Sequence, residues 1–134
     1  MALKDVGNKV PIYKLKTTDE VMKYYDEWGE KNKYNKDMVE WNYTGPKETV
    51  EVLKKYLLKK DSIIFDAGCG TGLVGLELKK FGYNFFHGAD LSQKLLDTVP
   101  TNLYRNLIKV DLNKSLTIQD NFYDAVMCVG TFTF

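Results

Sequence analysis

Residues Asp66–Gly72 read Asp-Ala-Gly-Cys-Gly-Thr-Gly and follow directly on the apolar run Ile63-Ile64-Phe65. That order describes a strand running into a glycine-rich loop, with one acid at the junction. Glycines at 68, 70 and 72 let the chain turn sharply and let a ligand come close to the backbone. The helix that should follow offers unpaired N–H groups at its start. Two further acids, Asp90 and Asp111, also follow apolar runs, at spacings close to one strand–helix unit. In an open parallel sheet the carboxyl ends of the strands border the ligand crevice. Three carboxylates converging there suit a ligand with hydroxyls, amines and some positive charge.

The glycine loop contains a second register. Gly70-Thr71-Gly72-Leu73-Val74-Gly75 fits the G-x-G-x-x-G of dinucleotide-binding folds, and Asp90 falls about where an acid grips ribose hydroxyls in them. A pyrophosphate is repelled by a carboxylate at the loop entrance, whereas an ammonium and a sulfonium are attracted. S-adenosylmethionine carries both, on an adenosine with ribose hydroxyls. The residues therefore favour the methyl donor over a nicotinamide dinucleotide, whose case rests on Gly70–Gly75 alone.

These residues need a scaffold, and the pattern supplies one. Strand candidates fall at 62–66, 84–89, 106–110 and 124–130, with helical segments over 73–81 and from Ser92 to before Pro100. Alternating strands and helices imply a parallel sheet with right-handed crossovers. Upstream, Thr17 and Glu20 have capping-box spacing, and Val21, Met22, Tyr25 and Trp28 follow with helical period, which predicts a helix over about 18–31. A short helix is expected over 37–43. Another should start at Thr44-Gly45-Pro46, with Val50, Leu53, Leu57 and Leu58 on one face. Residues 1–17 read as an irregular arm and 18–134 as one partial domain.

The 134 residues suffice for one modest core, and 19 basic against 18 acidic side chains leave a net charge of +1. Nucleic acid or an anionic membrane usually requires a more basic surface, so neither is an expected partner. Lys54-Lys55 and Lys59-Lys60 fit a solvated helix end. The first residues lack the apolar stretch of a signal peptide, and no run reaches a membrane span. Two cysteines, Cys69 and Cys128, suit a reduced compartment, so a cytoplasmic protein is the default. With one histidine, His87, they are too few for an ordinary zinc site, and no metal is expected.

Asp-Ala-Gly-Cys-Gly-Thr-Gly resembles the first motif of class I S-adenosylmethionine-dependent methyltransferases. Gly88-Ala89-Asp90-Leu91-Ser92 resembles their acidic second motif, and Asn121–Val126 the lead-in to their fourth strand. Tyr25-Asp26-Glu27-Trp28, Tyr34 and Glu40–Pro46 are similar to the methyltransferase-like proteins typified by the Williams–Beuren critical-region member. The resemblance covers about residues 20–134. It implies an α/β, Rossmann-like parallel sheet of the class I methyltransferase type, shortened after the fourth strand, with N-terminal helices. It also implies roles. Asp66 and the backbone of Ala67, Gly68, Cys69 and Gly70 hold the methionine part, and Gly72 opens the helix. Asp90 accepts from the ribose, with Leu91 against the adenine; Asp111 and Leu112 meet its amino group and ring. Tyr25 and Tyr34 fold over the methionine carboxylate. The backbone at 128–130, Val129 included, lines the acceptor side. Asn35 stands where the family often has an acid.

Plainer readings accompany some of these residues. Cys69 fits a small loop residue better than a nucleophile, and His87, beside Phe85 and Phe86, fits packing better than a general base. Tyr24, Tyr25 and Trp28 suit a lid over the cofactor and a bland core face equally. In the family the first strand is central and the fourth adjoins it. With the sequence ending at Phe134, residues Ala125–Val129 should form an exposed apolar edge, so a homodimer or higher assembly through the last strand and Phe132/Phe134 is expected. The expected function is methyl transfer from S-adenosylmethionine, leaving S-adenosylhomocysteine, to a small-molecule or protein acceptor. The alternative is a non-catalytic, shortened module that binds the cofactor or assembles through its last strand. No catalytic base can be named.

Overall fold

The four strands Ile64–Ala67 (β1), Phe86–Asp90 (β2), Asn106–Lys109 (β3) and Ala125–Met127 (β4) form one parallel sheet in the order β3-β2-β1-β4. The computed structural model describes residues 14–131. Most of the expected arm, and Phe132 and Phe134, lie outside the described residues. The helices are Thr18–Gly29 (α1), Lys33–Glu40 (α2), Gly45–Tyr56 (α3), Leu73–Lys80 (α4) and Gln93–Asp97 (α5). This is the Rossmann-like architecture expected, with β1 inside the sheet between β2 and β4.

Local chemistry sets the helix starts. The Thr17 side chain accepts from the Glu20 N–H while the Glu20 carboxylate accepts from the Thr17 N–H, completing the capping box of α1. Pro46 sits in the first turn of α3, where its missing N–H leaves no bond unmade. The Ser92 hydroxyl accepts from the Leu95 N–H and caps α5.

The second helix lies earlier than 37–43. Lys31 and Asn32 take left-handed backbone angles (φ 53° and 60°) that break α1, and the chain restarts as α2 at once. Tyr34 is thereby placed against Trp28, with ring centroids 4.7 Å apart. Asn42 (φ 50°) then turns the chain toward α3. The fourth strand is three residues rather than the seven of 124–130. From Cys128 the chain leaves the sheet, and the Thr131 hydroxyl reaches the Ala67 carbonyl at 3.4 Å.

Strand alternation divides the core. Ile64 and Phe86 pack with Val50, Leu78 and Tyr83 beneath α3 and α4. Phe65, Ala67 and Ala89 face the other way, toward Leu112, Ile118 and Tyr123. A separate aromatic cluster of Tyr24, Trp28 and Met38 holds α1 to α2 and draws in Leu73 at the start of α4. Within it Trp28 Nε1 donates to Asp37 at 2.8 Å, and Lys33 pairs with the same carboxylate. The first two helices thus form a cap seated beside the glycine loop. Lys54 and Lys55 fall in the last turn of α3 as expected, whereas Lys59 and Lys60 lie past its end; Lys60 Nζ stands 4.2 Å from the centre of the Tyr83 ring.

Candidate functional site: a glycine turn beside two acids

The turn after β1 requires its glycines. Gly68, Gly70 and Gly72 have φ of 77°, 54° and 91°, angles that side-chain-bearing residues rarely adopt. The N–H groups of Gly68 and Cys69 bond the Ala89 carbonyl at 2.8 and 2.9 Å, which fastens the turn to the end of β2. A Cβ placed on Gly70 would meet no atom within 4 Å, so the turn is open to an incoming group there. Gly75, the last glycine of the second register, has a different reason. A Cβ there would lie 2.6 Å from the Tyr104 ring, so its smallness serves internal packing.

Asp66 sits at this turn with no exposed surface. Its Oδ2 accepts from the Tyr104 hydroxyl at 2.6 Å, and its Oδ1 has no hydrogen-bond partner. Burial raises its pKa to about 7; the Tyr104 bond opposes the rise and the nearby Asp90 charge adds to it. Asp90 Oδ2 accepts from the Gly70 N–H at 2.8 Å, and Oδ1 from the Ser92 N–H at 2.9 Å. Burial raises its pKa too, against the pull of the Ser92, Gly70 and Leu91 amides. Among the described residues, no lysine or arginine forms an ion pair with either acid. Leu91 follows Asp90 at the mouth of β2, partly buried.

The third acid behaves differently. Asp111 Oδ1 accepts from the Asn113 N–H at 2.9 Å, within its own turn, and Leu112 packs toward Phe65 and Ala89. The structure thus brings Asp66 and Asp90 together and leaves Asp111 engaged locally. Val129 packs against the helix-covered core.

The tyrosines pack within the aromatic cluster of the cap. Tyr25 stacks on Trp28 at 5.8 Å, and Tyr34 meets the same indole edge-on, so both belong to the cap's core. Burial raises the pKa of both phenols, and the Asp90 charge adds to the rise in each case. Cys69 is buried and its thiol pKa is raised, chiefly by burial, so it is no ready nucleophile. His87 aligns with Phe65 across the sheet, and its Nδ1 lies 2.7 Å from the Tyr123 hydroxyl. That is the face opposite Asp66.

Several contacts at the site carried no signal in the sequence. Tyr104 lies in no motif, yet its ring touches the positions of Gly72, Gly75 and Gly88. Asp26 accepts from the Ser92 hydroxyl, Lys94 pairs with Glu30 at 2.8 Å, and Thr71 donates to Asn35 at 2.6 Å. These bonds tie the cap to the turn and to α5. Only pairing partners distant in the chain could have pointed to them.

Residues 64–134, just over half of the chain, match the family model described as a methyltransferase domain. The chain belongs to the class I S-adenosylmethionine-dependent methyltransferase family. This methyltransferase domain is 32% identical over 114 residues to human methyltransferase-like protein 27, covering 82% of the chain and 46% of that relative. It is 32% identical over 81 residues to the ribosomal protein L11 methyltransferase of Thermotoga neapolitana, covering 59% of the chain and 30% of that protein. The chain therefore spans less than half the length of these curated relatives. Solved structures share the fold. A chain of the Haloferax volcanii complex between the Trm112 methyltransferase activator and a methyltransferase superposes with a TM-score of 0.62 at 19% identity, over 78% of this chain and 46% of that one. Magnesium protoporphyrin IX methyltransferase from Synechocystis PCC 6803, solved with bound S-adenosylmethionine, gives 0.58 at 19% identity, over 90% and 63%.

Proposed function

We propose that this methyltransferase domain binds S-adenosylmethionine at the glycine turn beside Asp66 and Asp90, and donates its methyl group to a small-molecule or protein acceptor. The observation that carries the reading is a fully buried acid, Asp66, and a half-buried one, Asp90, without a basic partner beside an open backbone turn. Asp66 Oδ1 is an unpaired acceptor in a fully buried side chain. Such a group is costly unless a ligand supplies the missing donor or positive charge. The methyl donor brings an ammonium and a sulfonium, and each Asp90 oxygen keeps a lone pair for a ribose hydroxyl after accepting one amide.

On this reading Asp66 and the backbone of Ala67, Gly68, Cys69 and Gly70 receive the methionine part, and Gly72 sets the start of α4. Asp90 holds the ribose, with Leu91 beside the base. Tyr25 and Tyr34 close the methionine end from the cap. Asp111 and Leu112 border the adenine and Val129 the acceptor side. The bound donor supplies an already activated methyl group. The domain's own task is proximity and in-line alignment, with water kept out by the aromatic cap. The curated relatives and solved neighbours include, by name, a methyltransferase of a ribosomal protein and one of a porphyrin. Both acceptor classes stay open on that account, and a cytoplasmic setting suits the two free thiols.

A second reading is a non-catalytic module that binds the cofactor and assembles through β4. It is favoured by one observation: Val126, in the middle of β4, is 64% exposed. Calorimetry with S-adenosylmethionine and S-adenosylhomocysteine tests the binding. Micromolar affinity for both is expected, and no heat with either overturns the proposal. Isotope transfer from labelled donor to an acceptor panel then separates the two readings: turnover supports the enzyme, and full occupancy without turnover supports the module.

A further inference from the structure

Tyr104 occupies a slot that three glycines make. A Cβ on Gly75 would lie 2.6 Å from its ring, one on Gly88 2.9 Å and one on Gly72 3.3 Å. The ring meets Phe86 edge-to-face at 4.9 Å, which fixes its plane. So held, the phenol oxygen does two things. It donates to Asp66 Oδ2 at 2.6 Å and accepts from the Gly75 N–H at 3.1 Å, one of the amides at the start of α4 with no partner in its own helix. One side chain, from the loop before β3, thus joins the acid at the end of β1 to the first turn of α4. The glycine turn lies between those two anchors.

We propose that Tyr104 is a positioning residue for the cofactor, coupling Asp66 to the first turn of α4 and thereby setting the pH at which the turn accepts a cationic ligand. This rests on the cofactor reading above, though the coupling to Asp66 exists without ligand. Among the described residues, the titratable groups facing Asp66 are few. They are Tyr104 itself, the Asp90 carboxylate from the end of β2 and the buried Cys69 thiol; Asp26, from α1, acts on Asp90. Of these, only the Tyr104 hydroxyl favours the ionised acid. Removing it leaves a fully buried carboxylate with no side-chain donor, and the proton should be retained to higher pH.

The test is Tyr104→Phe, which keeps the ring in its slot. The affinity for S-adenosylmethionine is measured from about pH 6 to 9, and the Asp66 carboxyl is titrated by carbon-13 NMR in the ligand-free protein. Loss of a charge-assisted bond should raise the Asp66 midpoint by about one pH unit, and binding near neutral pH should weaken about tenfold and recover at high pH. An unchanged Asp66 midpoint, or a loss of affinity equal at every pH, overturns the proposal. If the chain binds no donor, the cofactor reading fails, and the ligand-free titration still decides the coupling. Gly75→Ala provides a second variant should Tyr104→Phe not fold. Its Cβ displaces the phenol while leaving it in the chain, and the same upward shift is expected; no shift there counts against the coupling.

Discussion

Thr71 and Asn35, 36 residues apart, meet through a hydrogen bond of 2.6 Å from the threonine hydroxyl to the asparagine Oδ1. Thr71 belongs to the glycine turn and Asn35 to α2, so the bond joins the binding turn to the cap above it. Leu73 is the turn's apolar contribution to the same junction. This bond, the Leu73 contact and the polar links to α5 join the cap to the turn outside the sheet. Thr71→Val keeps the shape and removes the donor, leaving Asn35 unpaired. We expect donor affinity to fall about fivefold, in line with one lost bond of about 1 kcal/mol. Amide exchange should rise in α2 and stay unchanged in β1 and β2. Unaltered protection in α2 would separate the bond from cap closure.

Asp66 gives a prediction about pH and stability. Its pKa in the folded chain is about 7, above the ordinary 3.8. Between those values the folded state holds a proton that the unfolded chain has released. Stability therefore falls as pH rises through that window and stays low above it. Asp66→Asn cannot ionise, so it escapes the loss. At about pH 8 the variant should be more stable than the parent by roughly 1–4 kcal/mol, and at about pH 4 the difference should vanish. Urea melts at the two pH values measure it. The same variant should bind the methyl donor at least tenfold more weakly, since the charge that destabilises the empty site is the one a cationic ligand would neutralise.

The sequence announced the fold through local chemistry. The apolar run ending at Asp66, the glycines after it and the repeat of that pattern at Asp90 are each legible from neighbouring residues, and they place β1, β2 and the turn. The capping box at Thr17 and Glu20 did the same for α1. Less legible was anything set by distant partners. Tyr104 reads as one aromatic among many until the fold brings Asp66 and Gly75 to its hydroxyl. Strand length misled at β4, because residues 128–130 are apolar enough for a strand but are drawn off over the turn by Thr131 and Ala67. Asp111 shares the pattern of the other two acids, and its carboxylate accepts from the amide two residues on, as that of Asp90 does.

The first two glycines of the turn should respond differently to alanine. At Gly70, φ is 54° and a Cβ meets nothing within 4 Å, so the strain is that of a left-handed residue, about 1–2 kcal/mol. Gly70→Ala should fold, with a slightly lower melting temperature, and bind the donor at least tenfold more weakly because its methyl group enters the open cradle. At Gly68, φ is 77° and a Cβ would collide with the Thr131 side chain. Gly68→Ala should therefore lose more stability, about 2–3 kcal/mol, through strain and the displaced segment after β4. Melting curves and calorimetry on the pair check both. Equal stability losses would show that the Thr131 contact carries no weight.

The edge of the sheet carries the last prediction. β4 pairs with β1 on one side, and among the described residues no strand pairs with its other side. Val126 stands 64% exposed there. A strand edge with unpaired backbone groups and an apolar side chain is a template for another chain. If assembly uses this edge, the chain should sediment as a dimer or larger species at micromolar concentration. Val126→Lys puts a charge on the strand without touching the glycine turn, and like charges facing each other across a symmetric pairing oppose it. The variant should sediment as a monomer while keeping its affinity for the methyl donor. A parent chain that is already monomeric would remove the assembly reading, and an oligomer unaffected by the lysine would move the contact away from β4.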